Sequence, residues 1–95
     1  MSPLAPPLLQ EKSDLTIRSA TDDFKNGEIE KALRKFLRIH RRLPNAAVVL
    51  MNIGVCYGDM GKKSEAQDWL ERARTVAPSE HKPLLEENIR RLGHL

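Results

Sequence analysis

The chain has 95 residues, of which 40% are hydrophobic and 31% charged, and its formal net charge is +3. This length allows one small domain, and no apolar run reaches the roughly 18 residues that a membrane-spanning helix needs. The mild positive charge permits an acidic partner without requiring one.

The first dozen residues contain prolines at positions 3, 6 and 7 and no helical period. Residues 1–12 are therefore predicted to form a proline-rich flexible tail. They lack the basic flank and the long apolar stretch of a secretory signal. The single cysteine, Cys56, cannot form an internal disulfide, which favours a reducing compartment, so a cytoplasmic location is expected.

Glycine and proline divide the rest of the chain at even intervals. The dividing residues are Gly27, Pro44-Asn45, Gly61, Pro78-Ser79 and Gly93. Glycine after a periodic stretch is typical of a helix C-terminus, and Asn or Ser after proline is typical of a helix N-cap. Leu, Ala, Arg, Lys and Glu are abundant between these marks, which also favours helix. The sequence predicts an all-α protein with five helices, at about 13–26, 28–42, 46–60, 62–76 and 80–92.

Matching residues recur at a spacing of 34 positions. The pairs are Ala20 and Gly54, Gly27 and Gly61, Ala32 and Ala66, Phe36 and Leu70, Pro44 and Pro78, Leu50 and Leu84, and Val55 and Ile89. A fixed period of this size is typical of a stacked array of helices.

The segment from Ala47 to Glu80 resembles one complete tetratricopeptide repeat. Its matching residues are Leu50, Ile53, Gly54, Tyr57, Gly61, Ala66, Leu70, Ala73 and Pro78. The resemblance implies a right-handed stack of antiparallel helix hairpins. It implies two repeats, at about 13–46 and 47–80, and a capping helix at 81–93, which together form one domain over residues 13–95.

The first predicted helix departs from the family pattern. Polar residues, Thr16, Ser19 and Asp23, stand where the family keeps large apolar side chains. The helix still has one apolar face, which includes Ala20 and Phe24. We therefore expect it to be rotated or loosely docked.

In tetratricopeptide arrays the first helix of each hairpin lines the inner surface, where partners lie. The resemblance implies a partner-binding groove formed by Ile17, Thr21, Phe24, Val48, Met51, Asn52, Val55, Leu85 and Ile89. Several of these residues are apolar, and an exposed apolar groove favours a bound peptide or helix of another protein. The alternative is that they pack helix against helix inside a small domain.

Some members of the family hold the carboxylates of acidic C-terminal tails in a two-carboxylate clamp. Only Asn52 and Lys82 match the clamp positions, whereas Ile17, Thr21 and Glu86 do not. An anion site without its cations loses its main attraction. The clamp is therefore not expected.

The second predicted helix is strongly basic. Its basic stripe contains Lys31, Arg34, Lys35, Arg38, Arg41 and Arg42. These cations could contact phosphates or an acidic protein surface. They could equally form a solvated outer face, with cations gathered near a helix C-terminus where the macrodipole favours them.

The sequence contains no glycine-rich phosphate loop, no nucleophile–base motif and no metal-binding spacing of histidines. We therefore expect no enzyme, no metal and no cofactor. The predicted function is a protein–protein interaction module, such as a scaffold, adaptor or co-chaperone-like protein. The alternatives are a self-associating structural subunit and, with less support, a nucleic-acid binder that uses the basic helix.

Overall fold

The computed structural model describes residues 16–94, which are helical without strands. The helices are α1 (Ile17–Lys25), α2 (Ile29–Arg42), α3 (Ala47–Asp59), α4 (Lys63–Val76) and α5 (Lys82–Leu92), with one 3-10 turn at Ser79–His81 before α5. The predicted all-α fold class is confirmed. The expected tail over residues 1–12, and residues 13–15 of the first predicted helix, lie outside the described residues.

Helices α1 and α3 end in the same kind of turn. Each turn contains a glycine with positive φ, +83° at Gly27 and +76° at Gly61. Residues with a Cβ rarely adopt this backbone conformation. A backbone hydrogen bond closes each turn: Glu28 N–H donates to Asp23 O (2.8 Å), and Lys62 N–H donates to Tyr57 O (2.9 Å). All four of these positions are related in pairs by 34 residues, so the sequence spacing has a counterpart in the backbone.

Each helix packs against the next one along the chain, and α3 also contacts α5. Helix α3 is the centre of the molecule, which explains why its sequence is apolar on nearly every side. Two buried clusters share it. The first contains Ala20, Ala32, Leu33, Phe36, Ile39, Val49, Ile53 and Cys56. The second contains Leu50, Met51, Ala66, Leu70, Ala73, Leu85 and Leu92.

Helices α3 and α4 approach closely at Gly54. A Cβ at this position would lie 2.8 Å from the Leu70 side chain and 3.2 Å from the backbone oxygen of Ala66. Leu70 is itself buried in the second cluster, so it has little room to move aside. The crossing therefore requires a residue without a side chain.

The polar residues of α1 are accommodated by one cation of α2. Lys35 Nζ lies 2.8 Å from Asp23 Oδ2 and donates a hydrogen bond of 2.7 Å to Ser19 Oγ. Thr16 is the N-cap of α1, and its hydroxyl accepts a hydrogen bond from Ser19 N–H. The residues 34 positions after Ser19, Asp23 and Lys35 are Ile53, Tyr57 and Trp69, which belong to the apolar core or pack against it. A polar cluster in the first hairpin thus occupies the place of apolar packing in the second.

Candidate functional site

Two adjoining clefts, which share two lining residues, are here together called the inner groove. Its larger part has a volume of about 300 Å³ and is lined by Phe24, Gly54, Val55, Gly58, Asp59, Leu70, Asn88, Arg91 and Leu92. Its smaller part, of about 60 Å³, is lined by Thr21, Phe24, Phe36, Asn52 and Val55. Phe24 and Val55 line both parts, so the groove extends from α1 across α3 to α5.

The structure brings four of the predicted groove residues together. Thr21 and Phe24 come from α1, and Asn52 and Val55 come from α3. Phe24 and Val55 are half-buried, so each presents part of an apolar side chain to the groove. Thr21 has its hydroxyl occupied, since it donates a hydrogen bond of 2.7 Å to Ile17 O.

The expectation that Met51 and Leu85 face a groove is wrong. Met51 is 8% exposed and Leu85 is 1% exposed, because both lie in the cluster where α3, α4 and α5 meet. Val48 is half-buried beside them and lines a cavity of only about 10 Å³, too small for a side chain of a partner. Ile17 and Ile89 are half-buried and pack against the core. Met51, Leu85, Ile17 and Ile89 therefore contribute to the packing of the helices, and none of the five residues lines the groove.

Sequence reasoning missed the contribution of α5 to the groove. The residues that face the groove there are Asn88, Arg91 and Leu92, which are neighbours on one side of the helix at spacings of three and four. The family pattern predicts Leu85 and Ile89 instead, but Leu85 is buried in the second cluster and Ile89 packs against it. Gly58 of α3 was also missed, because a glycine gives no signal of its own in a hydrophobic pattern.

The groove has an apolar floor and a charged rim. Asp59 lies on the rim from α3, and Arg91 lies on it from α5. Arg91 is also held by Glu87, at 3.3 Å, whereas Asp59 has no ion-pair partner within residues 16–94. Glu87 is shared with Arg90, so Arg91 keeps part of its charge. The opposite charges of Asp59 and Arg91 give the groove little net charge, and its attraction for a ligand is mainly apolar.

One of the positions that a two-carboxylate clamp would use, Glu86, is engaged by another helix. Glu86 is bound through both of its oxygens by Arg74, at 3.0 and 3.1 Å, which ties α5 to α4. Asn52 lies in the smaller part of the groove, and Lys82 is exposed. A negative Glu86 in this arrangement disfavours an anionic ligand.

Cys56 lies at 0% exposure in the first cluster as a free thiol. Burial, together with the nearby carboxylate of Asp59, raises the pKa of the thiol to about 12. A thiol with so high a pKa is almost entirely protonated near neutral pH, and the thiolate is the reactive form. The residue acts as a small apolar side chain in the core.

The outer face is formed by α2 and α4 and carries Trp69. The ring of His40 packs edge-to-face on Trp69 with a centroid distance of 5.1 Å, and the guanidinium of Arg72 lies 4.1 Å from the centre of the indole ring. Burial, and secondly the charge of Arg72, lowers the pKa of His40 below its ordinary value of 6.5. Trp69 therefore links the two hairpins from outside.

The basic stripe of α2 is smaller than the sequence predicts. Lys35 is withdrawn from it, because this side chain turns toward α1 and pairs with Asp23. The other members are exposed: Lys31, Arg34, Arg38, Arg41 and Arg42.

None of the helices in residues 16–94 combines the length and the apolarity that crossing a membrane requires. In that same part of the chain, no three His, Cys, Asp or Glu side chains come together in a way that could hold a metal ion. Comparisons of the chain with models of protein families, with curated proteins and with solved structures found no match.

Proposed function

We propose that this protein is a non-enzymatic interaction module, of the scaffold or adaptor type, that holds a peptide or a helix of a partner protein in its inner groove. The observation that carries the proposal is the pair of adjoining clefts that share Phe24 and Val55. A cleft with an apolar floor and a polar rim suits an amphipathic segment, which buries its apolar side chains and leaves its polar ones at the edge.

The same proposal places the chain among the tetratricopeptide proteins. Support comes from the ladder of residues 34 positions apart and from the turns at Gly27 and Gly61, whose backbone bonds are related by the same interval. The single cysteine, free and buried, supports a reducing compartment such as the cytoplasm.

The test begins with a peptide library displayed on phage and selected against the intact chain. The peptides recovered are then titrated by calorimetry into the wild type, the groove variant Val55→Glu and the matched control Val76→Glu. Val76 is exposed at the end of α4 and lies outside the groove, so the control makes the same chemical change elsewhere.

Val55→Glu is expected to lower the affinity at least about tenfold, because a carboxylate in an apolar cleft loses solvation without gaining a partner. The control is expected to bind like the wild type, and both variants are expected to keep their helical circular dichroism. Met51→Glu, by contrast, is expected to unfold the chain, because Met51 is a core residue. Undiminished binding by Val55→Glu would refute the groove as the binding site.

A second candidate function, self-association, is favoured by the exposure of Leu84. This side chain of α5 is 55% exposed, whereas Leu50, 34 positions earlier, is 2% exposed and lies in the cluster with residues of α4. Within the described residues, Leu84 is therefore an apolar side chain open to solvent. A second copy could cover it, and light scattering over a concentration range tests this. Mass that rises with concentration in the wild type but not in Leu84→Glu supports it, and a strict monomer contradicts it.

A further inference from the structure

A stripe of exposed cations runs along α2 on the side turned away from the core. The exposed basic stripe consists of Lys31, Arg34, Arg38, Arg41 and Arg42. At about 100° per residue these side chains fall within about one third of the helix circumference, and they extend over about 16 Å of its length. The stripe thus presents five cations over about three turns of a helix that is already folded.

The charge of this stripe is not compensated by the rest of the described chain. None of the five cations has a carboxylate within ion-pair distance in residues 16–94. Three arginines outside α2 do form ion pairs with glutamates: Arg74, Arg90 and Arg91. The helix macrodipole favours cations only in the last turn, so it does not account for Lys31 or Arg34, which lie near the start of α2.

Apolar surface accompanies the cations, and exposed aromatic rings do not. Leu43, directly after α2, is 51% exposed, and a depression of about 200 Å³ lies among Arg38, Ile39, Arg41 and Arg42. The aromatic side chain of α2, Phe36, is 1% exposed, and no Phe, Tyr or Trp in the described part of the chain is fully exposed. A single-stranded nucleic acid would lack the rings on which its bases stack, and an exposed apolar side chain such as Leu43 is covered more favourably by a protein than by a phosphate backbone.

We propose that the exposed basic stripe is a second interaction surface, distinct from the inner groove, and that it binds an acidic segment of another protein. A helical segment with one carboxylate per turn matches the spacing of the cations, because side chains three or four residues apart line one face of a helix. Four of the five cations are arginines, which bind carboxylates through two parallel hydrogen bonds. One apolar residue of the partner would cover Leu43.

The experiment uses a labelled synthetic peptide of about four helical turns with glutamate once per turn and leucine near one end. A second peptide has glutamine in place of every glutamate, and a third probe is a DNA duplex of random sequence. Binding to the intact chain is measured by fluorescence anisotropy at low and moderate salt. The variant is Arg34→Glu/Arg38→Glu, and the matched control, Lys62→Glu/Lys63→Glu, makes the same change of charge on exposed residues at the start of α4.

The glutamate peptide is expected to bind, to weaken as salt rises and to lose about tenfold or more in affinity with Arg34→Glu/Arg38→Glu, because attraction at two sites becomes repulsion. The Lys62→Glu/Lys63→Glu control is expected to change affinity less than about twofold. If the reversal variant does not fold, Arg34→Gln/Arg38→Gln takes its place. Absent binding, equal binding of the glutamine peptide, an equal loss in the control, or tighter binding of the DNA duplex would each overturn the proposal.

Discussion

The contact between Lys35 and Asp23 gives a sharp test of how α1 is held. Both side chains are mostly out of water, at 17% and 15% exposure, and the ion-pair distance is 2.8 Å. Lys35→Met keeps the length of the side chain but leaves Asp23 without its cation and Ser19 without its donor. Breaking a fully buried pair costs about 3–5 kcal/mol and an exposed pair about 0–1 kcal/mol. The intermediate burial here leads us to expect a loss of about 2 kcal/mol in the free energy of unfolding.

Urea denaturation followed by far-ultraviolet circular dichroism measures this loss. The matched control is Lys31→Met, on the same helix but exposed and without an ion-pair partner within residues 16–94, and it is expected to cost less than about 0.5 kcal/mol. The double variant Asp23→Leu/Lys35→Met is expected to recover most of the stability, because apolar groups can replace a buried pair of charges. A loss with Lys35→Met no larger than with Lys31→Met would refute the reasoning.

Three further predictions concern the core and the outer face. Gly54→Ala is expected to destabilise the fold by about 1–2 kcal/mol, because the new Cβ would lie 2.8 Å from the Leu70 side chain. Gly58→Ala, where the closest contact would be 3.5 Å, is expected to be neutral or to stabilise the fold by up to about 1 kcal/mol. Equal urea midpoints for the two variants would contradict this expectation. The pKa of His40 is lowered in the folded state. The His40 ring is therefore neutral in both the folded and the unfolded chain above about pH 6.5. Below that pH the ring binds a proton more readily in the unfolded chain than in the folded one. The free energy of unfolding should therefore fall from about pH 7 to about pH 5, less steeply in His40→Phe than in the wild type, and identical slopes would contradict this. Finally, the burial that raises the pKa of Cys56 to about 12 should make thiol labelling at neutral pH as slow as the opening of the fold, so rapid labelling of the native chain would show the thiol to be accessible.

Much of the fold could be predicted because the determining signals are local. Glycines with positive φ at positions 27 and 61 form the turns that end α1 and α3. Helix α2 ends at Arg42, because Pro44 disfavours a helical conformation of the residue before it, Leu43. The closeness of α3 and α4 could also be predicted from Gly54 and Ala66, whose small size is needed only where two helices cross.

The docking of α1 could not be predicted, because it depends on a contact between distant residues. In the sequence, Ser19 and Asp23 are polar residues at positions where the family pattern has apolar ones, and Lys35 is predicted to belong to the basic stripe. The periodicity of each helix taken alone does not show that Lys35, 12 residues after Asp23, turns toward it. The structure resolves both features with one interaction, in which Lys35 pairs with Asp23 and donates to Ser19.

The groove was predicted in part for a similar reason. Phe24 and Val55, which the sequence assigns to the groove, line both of its parts, and Phe24 also packs against the first cluster. Met51 and Leu85 were misassigned because periodicity shows which residues share a face but not how far the next helix covers that face. Helix α5 covers Met51 and turns Asn88 and Arg91 toward the groove instead.

The most direct test of the central claim, that the inner groove holds a partner segment, is the NMR footprint of a phage-selected peptide on the intact, isotopically labelled chain. On titration, we expect the largest shifts at the amides of Phe24, Val55, Gly58, Asn88 and Arg91, which line the groove. The amides of α2 and α4 on the outer face, near Trp69, should change little. A footprint centred on that outer face, or shifts spread evenly over the chain, would show that the peptide does not bind in the inner groove.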